Sequence, residues 1–322
     1  MFKNSLTSAA LALLFVLTAT TQTIVQAAEE TAGRPKVALA LGGGGTRGAA
    51  HVGVLRVLKQ EGIPIDMIAG TSMGSIVGGL YCAGVSVDTL ESEFKISAIM
   101  KNYMTVPIYV RMLAIPIFAV PHLFGWHPYD GFYFGNKLRN YLDRSLPENQ
   151  KEIEKLNIRY CAVATNLVDG KEFVISKGPL AWAMQASSAI PVLRRPVPLE
   201  DGLLVDGAIV ANVPAKAARA MGANIVIAVD VDEKLHQIPR DHFRKIGSVA
   251  PRIEQITLAH GDDPQLQSAD IVIHPNVDGI GVLSLSPSDA MAAIRAGEEA
   301  ARAALPEIRA KLHMGEPAAS SK

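Results

Sequence analysis

The stretch PKVALALGGGGTRGAAHVGVLRVLKQEGIPIDMIAGTSMGSIVGGLYCAG, residues 35–84, decides the fold of this chain. The apolar run Pro35–Leu41 ends at glycines and predicts a strand, and Ala49–Glu61 has apolar residues at helical spacing. A second apolar run, Ile65–Ala69, predicts another strand, which is followed by a helix of small residues over Ser75–Gly84. The order strand, helix, strand, helix predicts a parallel sheet with helical connections.

The remainder of the chain continues this alternation. Strands are predicted at Tyr160–Thr165, Glu172–Ile175, Leu203–Val205, Ile225–Val229 and Ile271–His274, and helices at Asn212–Met221, His242–His260 and Ser288–Leu312, the last with Pro306 as a kink or break. The runs IVIAV and IVI are continuously apolar, as expected for strands that are covered on both faces. We therefore predict one α/β domain over residues 36–313, a three-layer α/β/α fold with a mainly parallel central sheet.

Composition excludes several classes of protein. The chain has 322 residues, of which 49% are hydrophobic, too many for a disordered chain. Its 31 basic and 31 acidic residues balance, so a broadly cationic surface is excluded and no nucleic-acid partner is predicted. The two cysteines, Cys82 and Cys161, lie in apolar patterns. Two separate buried thiols are favoured, although an oxidising compartment would allow them to pair.

The first residues have the composition of a secretory signal peptide, which we assign to residues 1–27. Lys3 precedes a short apolar run, Ala9–Leu17, and Val25-Gln26-Ala27 forms a small-residue cleavage pattern. The apolar run is short for a membrane span of about 20 residues. We therefore expect an exported protein, periplasmic or secreted, which N-terminal sequencing of the natural protein would test. A linker at 28–35 and a flexible tail at 314–322 flank the predicted domain.

A glycine-rich loop lies between the first predicted strand and helix. Gly43 to Gly48 match the spacing GxGxxG. Backbone N–H groups at a helix N-terminus attract an anion, which could be a bound phosphate or the oxyanion of a reacting ester. Asp66, 23 residues after Gly43, imitates the ribose-binding acid of a dinucleotide site. A tight turn without a ligand is the third reading of this loop.

The second motif, Gly70-Thr71-Ser72-Met73-Gly74, also joins a predicted strand to a helix. This is the context of a nucleophile elbow, in which a sharp turn exposes a serine hydroxyl at the top of the sheet. Because both motifs follow parallel strands, we expect them to face one cleft at the carboxyl ends of those strands. An oxyanion hole and Ser72 would then meet in that cleft.

A nucleophilic serine needs a base. The late histidines could complete a Ser-His-Asp triad, but their sequence contexts are typical of surface or structural histidines; they are His236, His242, His260 and His274. A carboxylate is the other possibility. Asp206 follows the apolar triplet Leu203–Val205 and so lies at a strand end, whereas Asp201 lies in the turn before it. Neither carboxylates nor histidines show a ligand spacing such as HExxH, so no metal and no cofactor are predicted.

These motifs together resemble the signatures of the patatin-like phospholipases. The resemblance rests on Gly43–Gly48, Gly70–Gly74 and Asp206-Gly207-Ala208, and extends to Ser187–Pro191 and Asn212–Pro214. It implies a Ser-Asp dyad without a catalytic histidine. The roles that it implies are nucleophile for Ser72, proton acceptor for Asp206, oxyanion hole for Gly43, Gly44 and Gly45, and supporting motif positions for Arg47, Gly48, Gly70, Gly74, Gly207 and Ala208. Arg47 would orient the loop, bind a lipid phosphate or form a structural salt bridge.

The resemblance implies a serine acyl hydrolase that cleaves fatty acyl esters of phospholipids or other lipids and works at a membrane surface as a peripheral protein. Two alternatives remain open from the residues: a nucleotide-binding module that uses Gly43–Gly48, and a non-catalytic lipid-binding protein. The stretch Met112–Tyr129 has no charged side chain but three prolines. It is expected to be either a loop that fills the core or a flap over Ser72, with Trp126 and Tyr129 at the lipid interface.

Overall fold

A computed structural model describes residues 34–104, 129, 131–245 and 248–314. The predicted signal peptide, most of the predicted C-terminal tail and all of the stretch Met112–Tyr129 except Tyr129 lie outside the described residues. All the strands and helices given below belong to a compact unit that begins at Lys36.

The described residues form one sheet of eight strands. These are β1 Val37–Leu41, β2 Met67–Thr71, β3 Arg159–Asn166, β4 Lys171–Ile175, β5 Val197–Leu199, β6 Gly202–Asp206, β7 Ile225–Val229 and β8 Ile271–Ile273. The strands are hydrogen-bonded in the succession β5-β6-β3-β2-β1-β7-β8; β2 and β6 follow one another along the same edge of β3, and β4 pairs with its other edge. Strands β3, β2, β1, β7 and β8 run parallel, whereas β4 and β6 are antiparallel to β3, so the sheet is mainly parallel as predicted.

The helices connect these strands. They are α1 Ala50–Gln60, α2 Met73–Cys82, α3 Val87–Lys95, α4 Ala98–Tyr103, α5 Asn136–Ser145, α6 Leu180–Ser187, α7 Ala208–Ala211, α8 Ala215–Ala220, α9 Val249–Leu266 and α10 Pro287–Lys311. Short 3-10 helices occur at Gly45–Ala49, Glu148–Gln150, Ile153–Lys155 and Arg240–Arg244.

Two hydrophobic cores lie on opposite faces of the sheet, because successive side chains of a strand alternate between its faces. In β1, Val37, Leu39 and Leu41 pack in the larger core, whereas Ala38 and Ala40 pack in the smaller one. The larger core includes residues of α1, α2 and α10, and the smaller core includes residues of α7 and α8. This arrangement is the predicted three-layer α/β/α fold.

Every predicted strand is present, but two predicted helices were misplaced. The helix predicted at His242–His260 begins at Val249 and continues to Leu266, after a separate 3-10 turn at Arg240–Arg244. The helix predicted at Asn212–Met221 starts only at Ala215, since Pro214 lies at its N-terminus. In contrast, α10 runs through Pro306 without ending there.

Both cysteines are buried and free, Cys82 in α2 and Cys161 in β3, which confirms the prediction of separate thiols. Burial raises the pKa of the Cys161 thiol to about 12, so it is not a reactive thiolate. Within the described ranges, no helix combines the length and the apolar character that a membrane crossing requires.

Candidate active site

Ser72 occupies a strained turn between β2 and α2. Its φ of 51° and ψ of −120° lie in a region that residues other than glycine rarely adopt. The turn is held because the N–H of Ser72 donates to the carbonyl oxygen and to Oγ of Ser187, at 3.2 and 3.0 Å. Ser72 is therefore presented at the N-terminus of α2 in the manner of a nucleophile elbow.

The register of the sheet brings Asp206 beside this turn. Strands β2 and β6 share one edge of β3, because β4 occupies the other edge. Thr71, at the end of β2, pairs with Val163, and Asp206, at the end of β6, pairs with the next residue, Ala164. The ends of a parallel and an antiparallel strand therefore converge on one point of β3.

At that point the Oγ of Ser72 donates a hydrogen bond of 2.6 Å to Oδ2 of Asp206. The other carboxylate oxygen, Oδ1, accepts from the N–H of Ala208 at 3.0 Å, so the carboxylate is fixed at both ends. Ser72 is 6% exposed and Asp206 is 3% exposed. The two residues that sequence reasoning chose as nucleophile and base are thus in direct contact and almost fully shielded from solvent.

The glycine loop lies next to Ser72, but its first predicted oxyanion donor is already engaged. The N–H of Gly43 donates to the backbone oxygen and to Oδ1 of Asn212, at 3.2 and 3.1 Å. The N–H groups of Gly44 and Gly45 have no acceptor among the described residues, and both glycines line the cleft that contains Ser72. The donors that are free for an oxyanion are therefore at Gly44 and Gly45, not at Gly43.

The side-chain amide of Asn212 supports the glycine loop, and two carboxylates hold this amide in one orientation. Nδ2 of Asn212 donates to Oδ2 of Asp232 at 2.8 Å and to Oδ2 of Asp262 at 3.2 Å. A flipped amide would lose the two hydrogen bonds that Nδ2 donates and would place its NH2 group against the N–H of Gly43. Oδ1 of Asn212 must then face Gly43.

A buried histidine holds the other side of the same loop. Nε2 of His51 lies 2.7 Å from the carbonyl oxygen of Gly42, and the side chain is fully buried. Burial lowers the pKa of His51 to about 4, so the ring is neutral at pH 7 and Nε2 carries the hydrogen that it donates. Nδ1 of His51 has no hydrogen-bond partner among the described residues.

Next to Nδ2 of Asn212, three carboxylates lie close together. Oxygen atoms of Asp230, Asp232 and Asp262 lie within 4.8 Å of one another, close enough for a shared cation, although these oxygens also bond within the protein. Nδ1 of His274 lies 3.0 Å from Oδ2 of Asp230. Burial and the charges of Asp230 and Asp262 raise the pKa of Asp232 to about 7, and burial raises that of Asp262 to about 6.

The raised pKa of Asp232 predicts a pH dependence of stability. Its usual value is 3.8, so between about pH 4 and pH 7 the folded state holds a proton that the unfolded state has lost. Through this group, stability falls as the pH rises across that window, by about 1 kcal/mol per pH unit. Asp232→Asn keeps an acceptor for Asn212, and we expect it to remove this slope. The measurement is the free energy of unfolding at pH 5, 6 and 7, with exposed Asp263→Asn as the matched control; identical slopes in wild type and Asp232→Asn would refute the prediction.

The side chain of Arg47 bonds to other residues of the protein. Its Nη2 forms a salt bridge of 2.9 Å with Oε2 of Glu233, and its Nε donates to the carbonyl oxygen of Ile280 at 2.6 Å. The side chain is buried. Of the roles considered for Arg47, these contacts support orienting the loop through a structural salt bridge.

The remaining motif positions allow close backbone approaches. A Cβ at Gly74 would lie 2.1 Å from the carbonyl oxygen of Leu41, and one at Gly207 would lie 2.3 Å from that of Val163. Similar conflicts with the elbow and with Met73 arise at Gly70 and Gly48. These glycines pack the elbow, β1 and β6 into one site.

The structure disfavours the nucleotide reading of the loop. Oδ2 of Asp66 accepts from the N–H of Val37 at 2.8 Å, where β1 begins. Asp66 therefore lies at the amino-terminal edge of the sheet, whereas the glycine loop lies at the carboxyl edge. Asp66 cannot reach a ligand that is bound at Gly43–Gly48.

No described histidine lines the cleft that contains Ser72. His236 lies on the surface, 3.3 Å from Oδ2 of Asp278, and His242 and His260 are exposed. His274 is bonded to Asp230, as described above. Of the groups considered as a base, Asp206 alone contacts Ser72 in the described part of the chain.

The cleft has a volume of about 730 Å³. The residues that line it include the apolar Ile190, Pro191, Ala208, Ile209, Leu258, Ala259 and Val282 and the polar Arg47, Asn212, Asp232, Glu233, Gln255 and Thr257. Ser72, Asp206, Gly44 and Gly45 line the same cleft. The space suits a molecule with one apolar and one polar part.

Sequence reasoning did not predict the residues that support the glycine loop, which are Asn212 and the carboxylates near it. Asn212 was noted only for resemblance, and neither the engagement of Gly43 nor the cluster of carboxylates was predicted. The sequence contained a signal for two of these carboxylates. Asp230 and Asp232 follow the apolar strand β7, at the carboxyl edge of the sheet, where binding sites form. The partner Asp262 comes from α9, and no spacing in the sequence indicates that contact.

Comparison with known proteins gives a family match and several relatives. The family model described as patatin-like phospholipase matches residues 39–219, more than half of the chain. A patatin-like phospholipase domain-containing protein of Caenorhabditis elegans is 38% identical over 201 residues, which cover 61% of this chain and 13% of that protein. Lysophospholipase NTE1 of Candida glabrata is 33% identical over 201 residues, which cover 61% of this chain and 10% of that protein.

This chain thus matches only about a tenth of the length of these two relatives. Among solved structures, VipD from Legionella pneumophila aligns with a TM-score of 0.48 and 14% sequence identity, over 85% of this chain and 67% of that one.

Proposed function

The chain belongs to the patatin-like phospholipase family, and we propose that it is a serine lipid acyl hydrolase of the phospholipase A or lysophospholipase type. The single observation that carries this proposal is the 2.6 Å hydrogen bond from Oγ of Ser72 to Oδ2 of Asp206, on a strained elbow inside a cleft. A serine that is already bonded to a carboxylate can lose its proton as it attacks.

In the acylation step, Oγ of Ser72 attacks the carbonyl carbon of the ester and its proton passes to Oδ2 of Asp206. The carbonyl oxygen becomes an oxyanion, which the N–H groups of Gly44 and Gly45 stabilise from the cleft wall. Collapse of this intermediate breaks the ester bond, and the departing alcohol takes the proton from Asp206. The fatty acyl group remains on Ser72 as an ester.

In the second step, water attacks the acyl-serine and gives its proton to Asp206. The same two glycine N–H groups stabilise the second oxyanion. When the bond to Oγ breaks, Ser72 recovers its proton and the fatty acid leaves. The sum is ester plus water giving acid plus alcohol, and it needs no group other than these side chains and the backbone.

The substrate class follows from the cleft. The apolar side chains that line the cleft suit an acyl chain, and the polar ones suit the glycerol or head-group part of a lipid ester. Arg47 lines the cleft, but its charge is paired with that of Glu233. We propose fatty acyl esters of phospholipids, lysophospholipids or acylglycerols as substrates.

The test is release of fatty acid from a mixed panel of phospholipids, lysophospholipids and acylglycerols, measured by mass spectrometry. Wild-type protein should release fatty acid from at least one class, and Ser72→Ala should release none. Binding of these lipids without any release would instead support the non-catalytic lipid-binding alternative. A thermal shift with NAD together with no release would support the nucleotide-binding alternative.

A further inference from the structure

Helix α9 carries an apolar stripe that faces solvent. Val249, Ile253 and Ile256 are 50%, 58% and 38% exposed. They are separated by four and three residues, so they lie on one side of the helix. A helix on the surface of a soluble protein normally turns such a stripe toward the core.

The polar side of α9 is the side that is bonded to the protein. Nε2 of Gln255 donates to Oε2 of Glu233 at 2.7 Å, and Oδ1 of Asp262 accepts from the N–H of Val213 at 3.0 Å. Oε1 of Gln265 accepts from the N–H of Lys216 at 3.0 Å. Turning the stripe inward would break all three contacts, so the outward orientation is fixed by buried or partly buried polar bonds.

The stripe borders the cleft that contains Ser72. The next residues of α9, Thr257 to Ala259, form part of the cleft wall. Other exposed apolar side chains lie in or directly beside the remaining walls, and these are Val192, Ile209, Val282, Leu283 and Leu285. Exposed apolar side chains therefore lie both on α9 and among or next to the residues that line the cleft, as on surfaces that contact another apolar phase.

The segment before α9 adds positive charge to this surface. Residues 234–245 are largely exposed and contain Lys234, Arg240, Arg244 and Lys245 against the single carboxylate Asp241. This excess of three positive charges is local, because the chain as a whole has a formal net charge of zero. Two exposed apolar side chains, Leu235 and Phe243, lie within the same segment. Basic residues next to an exposed apolar face are typical of helices that lie in the interface of anionic membranes.

We propose that the stripe Val249, Ile253 and Ile256, together with the basic segment 234–245, docks the protein on a lipid surface that contains anionic lipid. This inference rests on the proposed function in one respect, that the cleft beside the stripe takes its substrate from that surface. Docking on α9 would bring the mouth of the cleft against the lipid. A lipid ester could then enter the cleft and reach Ser72 while part of the lipid remains in the lipid layer.

The test uses the full chain carrying Ser72→Ala, so that the vesicles are not consumed, and measures sedimentation with phosphatidylcholine vesicles with or without 30% phosphatidylglycerol. One variant replaces the stripe (Val249→Ser, Ile253→Ser, Ile256→Ser) and another the charges (Arg240→Gln, Arg244→Gln, Lys245→Gln). Control variants make changes of the same kinds at two exposed positions each, on the β3–β4 hairpin and just beyond it: Val168→Ser with Val174→Ser, and Lys171→Gln with Lys177→Gln. Circular dichroism and melting curves check that each variant is folded.

We expect binding that is stronger with phosphatidylglycerol, roughly tenfold weaker for the stripe variant and for the charge variant, and within about twofold of the parent for both controls. Equal binding by the stripe variant and its parent would overturn the proposal, as would equal binding to both kinds of vesicle. A parent protein that is dimeric, with a stripe variant that is monomeric and binds vesicles unchanged, would assign the stripe to a second copy of the chain. That result would contradict lipid docking.

Hydrolysis of a short-chain soluble ester separates this proposal from the proposed function. In the background with Ser72 intact, the stripe and charge variants should hydrolyse the soluble ester within about twofold of wild type. If wild type hydrolyses no ester, the proposed function fails, but the vesicle measurements still decide whether α9 docks on lipid.

Discussion

Ser72→Ala should reduce kcat for hydrolysis of a p-nitrophenyl ester by about 10⁴-fold or more, and Asp206→Asn by about 10³-fold or more. Alanine removes the attacking oxygen. Asparagine keeps the shape of Asp206 and an acceptor for the N–H of Ala208, but it cannot take the proton of Ser72. Both variants should keep the melting behaviour of a folded protein.

The matched controls for these two variants are His236→Ala and His260→Ala, since both histidines are exposed and lie outside the cleft. We expect each to keep activity within about twofold of wild type. A folded His236→Ala or His260→Ala that is as inactive as Asp206→Asn would replace the dyad by a triad.

The second large effect is expected at Gly43. A Cβ there would lie 2.5 Å from Oδ1 of Asn212 and 3.1 Å from Cβ of Ser72. Asn212 cannot yield easily, because its Nδ2 is held by Asp232 and Asp262. Gly43→Ala should therefore shift the glycine loop against Ser72 and misplace the N–H groups of Gly44 and Gly45.

Since loss of one oxyanion donor typically costs about 100- to 1000-fold in kcat, we expect Gly43→Ala to lose at least about 100-fold. Overpacking at this position should also lower stability by about 1–3 kcal/mol. The measurement is kcat together with the Kd of a transition-state analogue, which should rise in parallel with the loss of kcat. Gly261→Ala is the control, because a Cβ there meets nothing within 4 Å. A Gly43→Ala protein with normal kcat would show that the loop does not hold the oxyanion.

The sequence was sufficient to predict the parts of the fold that arise from continuous stretches of the chain. The apolar runs that end at Gly42 and Gly70 predicted β1 and β2, and the two motifs after them predicted which edge of the sheet carries the site. These signals are local, because a strand end, a glycine turn and a helix start are adjacent in the chain. The position of Asp206 at the end of a strand was equally local.

The features that could not be predicted depend on contacts between residues that are distant in the chain. The N–H of Gly43 donates to Asn212, 169 residues later. Because of this contact, the N–H groups that are free to bind an oxyanion are those of Gly44 and Gly45, and not that of Gly43 as predicted. The antiparallel pairing of β6 with β3, which delivers Asp206 to Ser72, has no signature in either strand. The start of α9 was misplaced because a separate 3-10 turn at Arg240–Arg244 precedes the helix, and the prediction ran the two together.

The site also explains why its most important residue is conformationally strained. Ser72 adopts a positive φ, which costs about 1–3 kcal/mol, and the cost is offset by the bonds of its N–H to Ser187 and by close packing of Gly74 on Leu41. The strain keeps Oγ beside Asp206 at the N-terminus of α2. A relaxed turn would direct the side chain away from the carboxylate.

Labelling with a fluorophosphonate, followed by mass spectrometry of the digested protein, decides whether Ser72 is a nucleophile that is activated by Asp206. We predict a single phosphonyl adduct on the peptide that contains Ser72, no adduct in Ser72→Ala, and labelling of Asp206→Asn that is at least about 100-fold slower than that of wild type. An adduct on another residue, or labelling of folded Asp206→Asn at the wild-type rate, would contradict the Ser-Asp dyad.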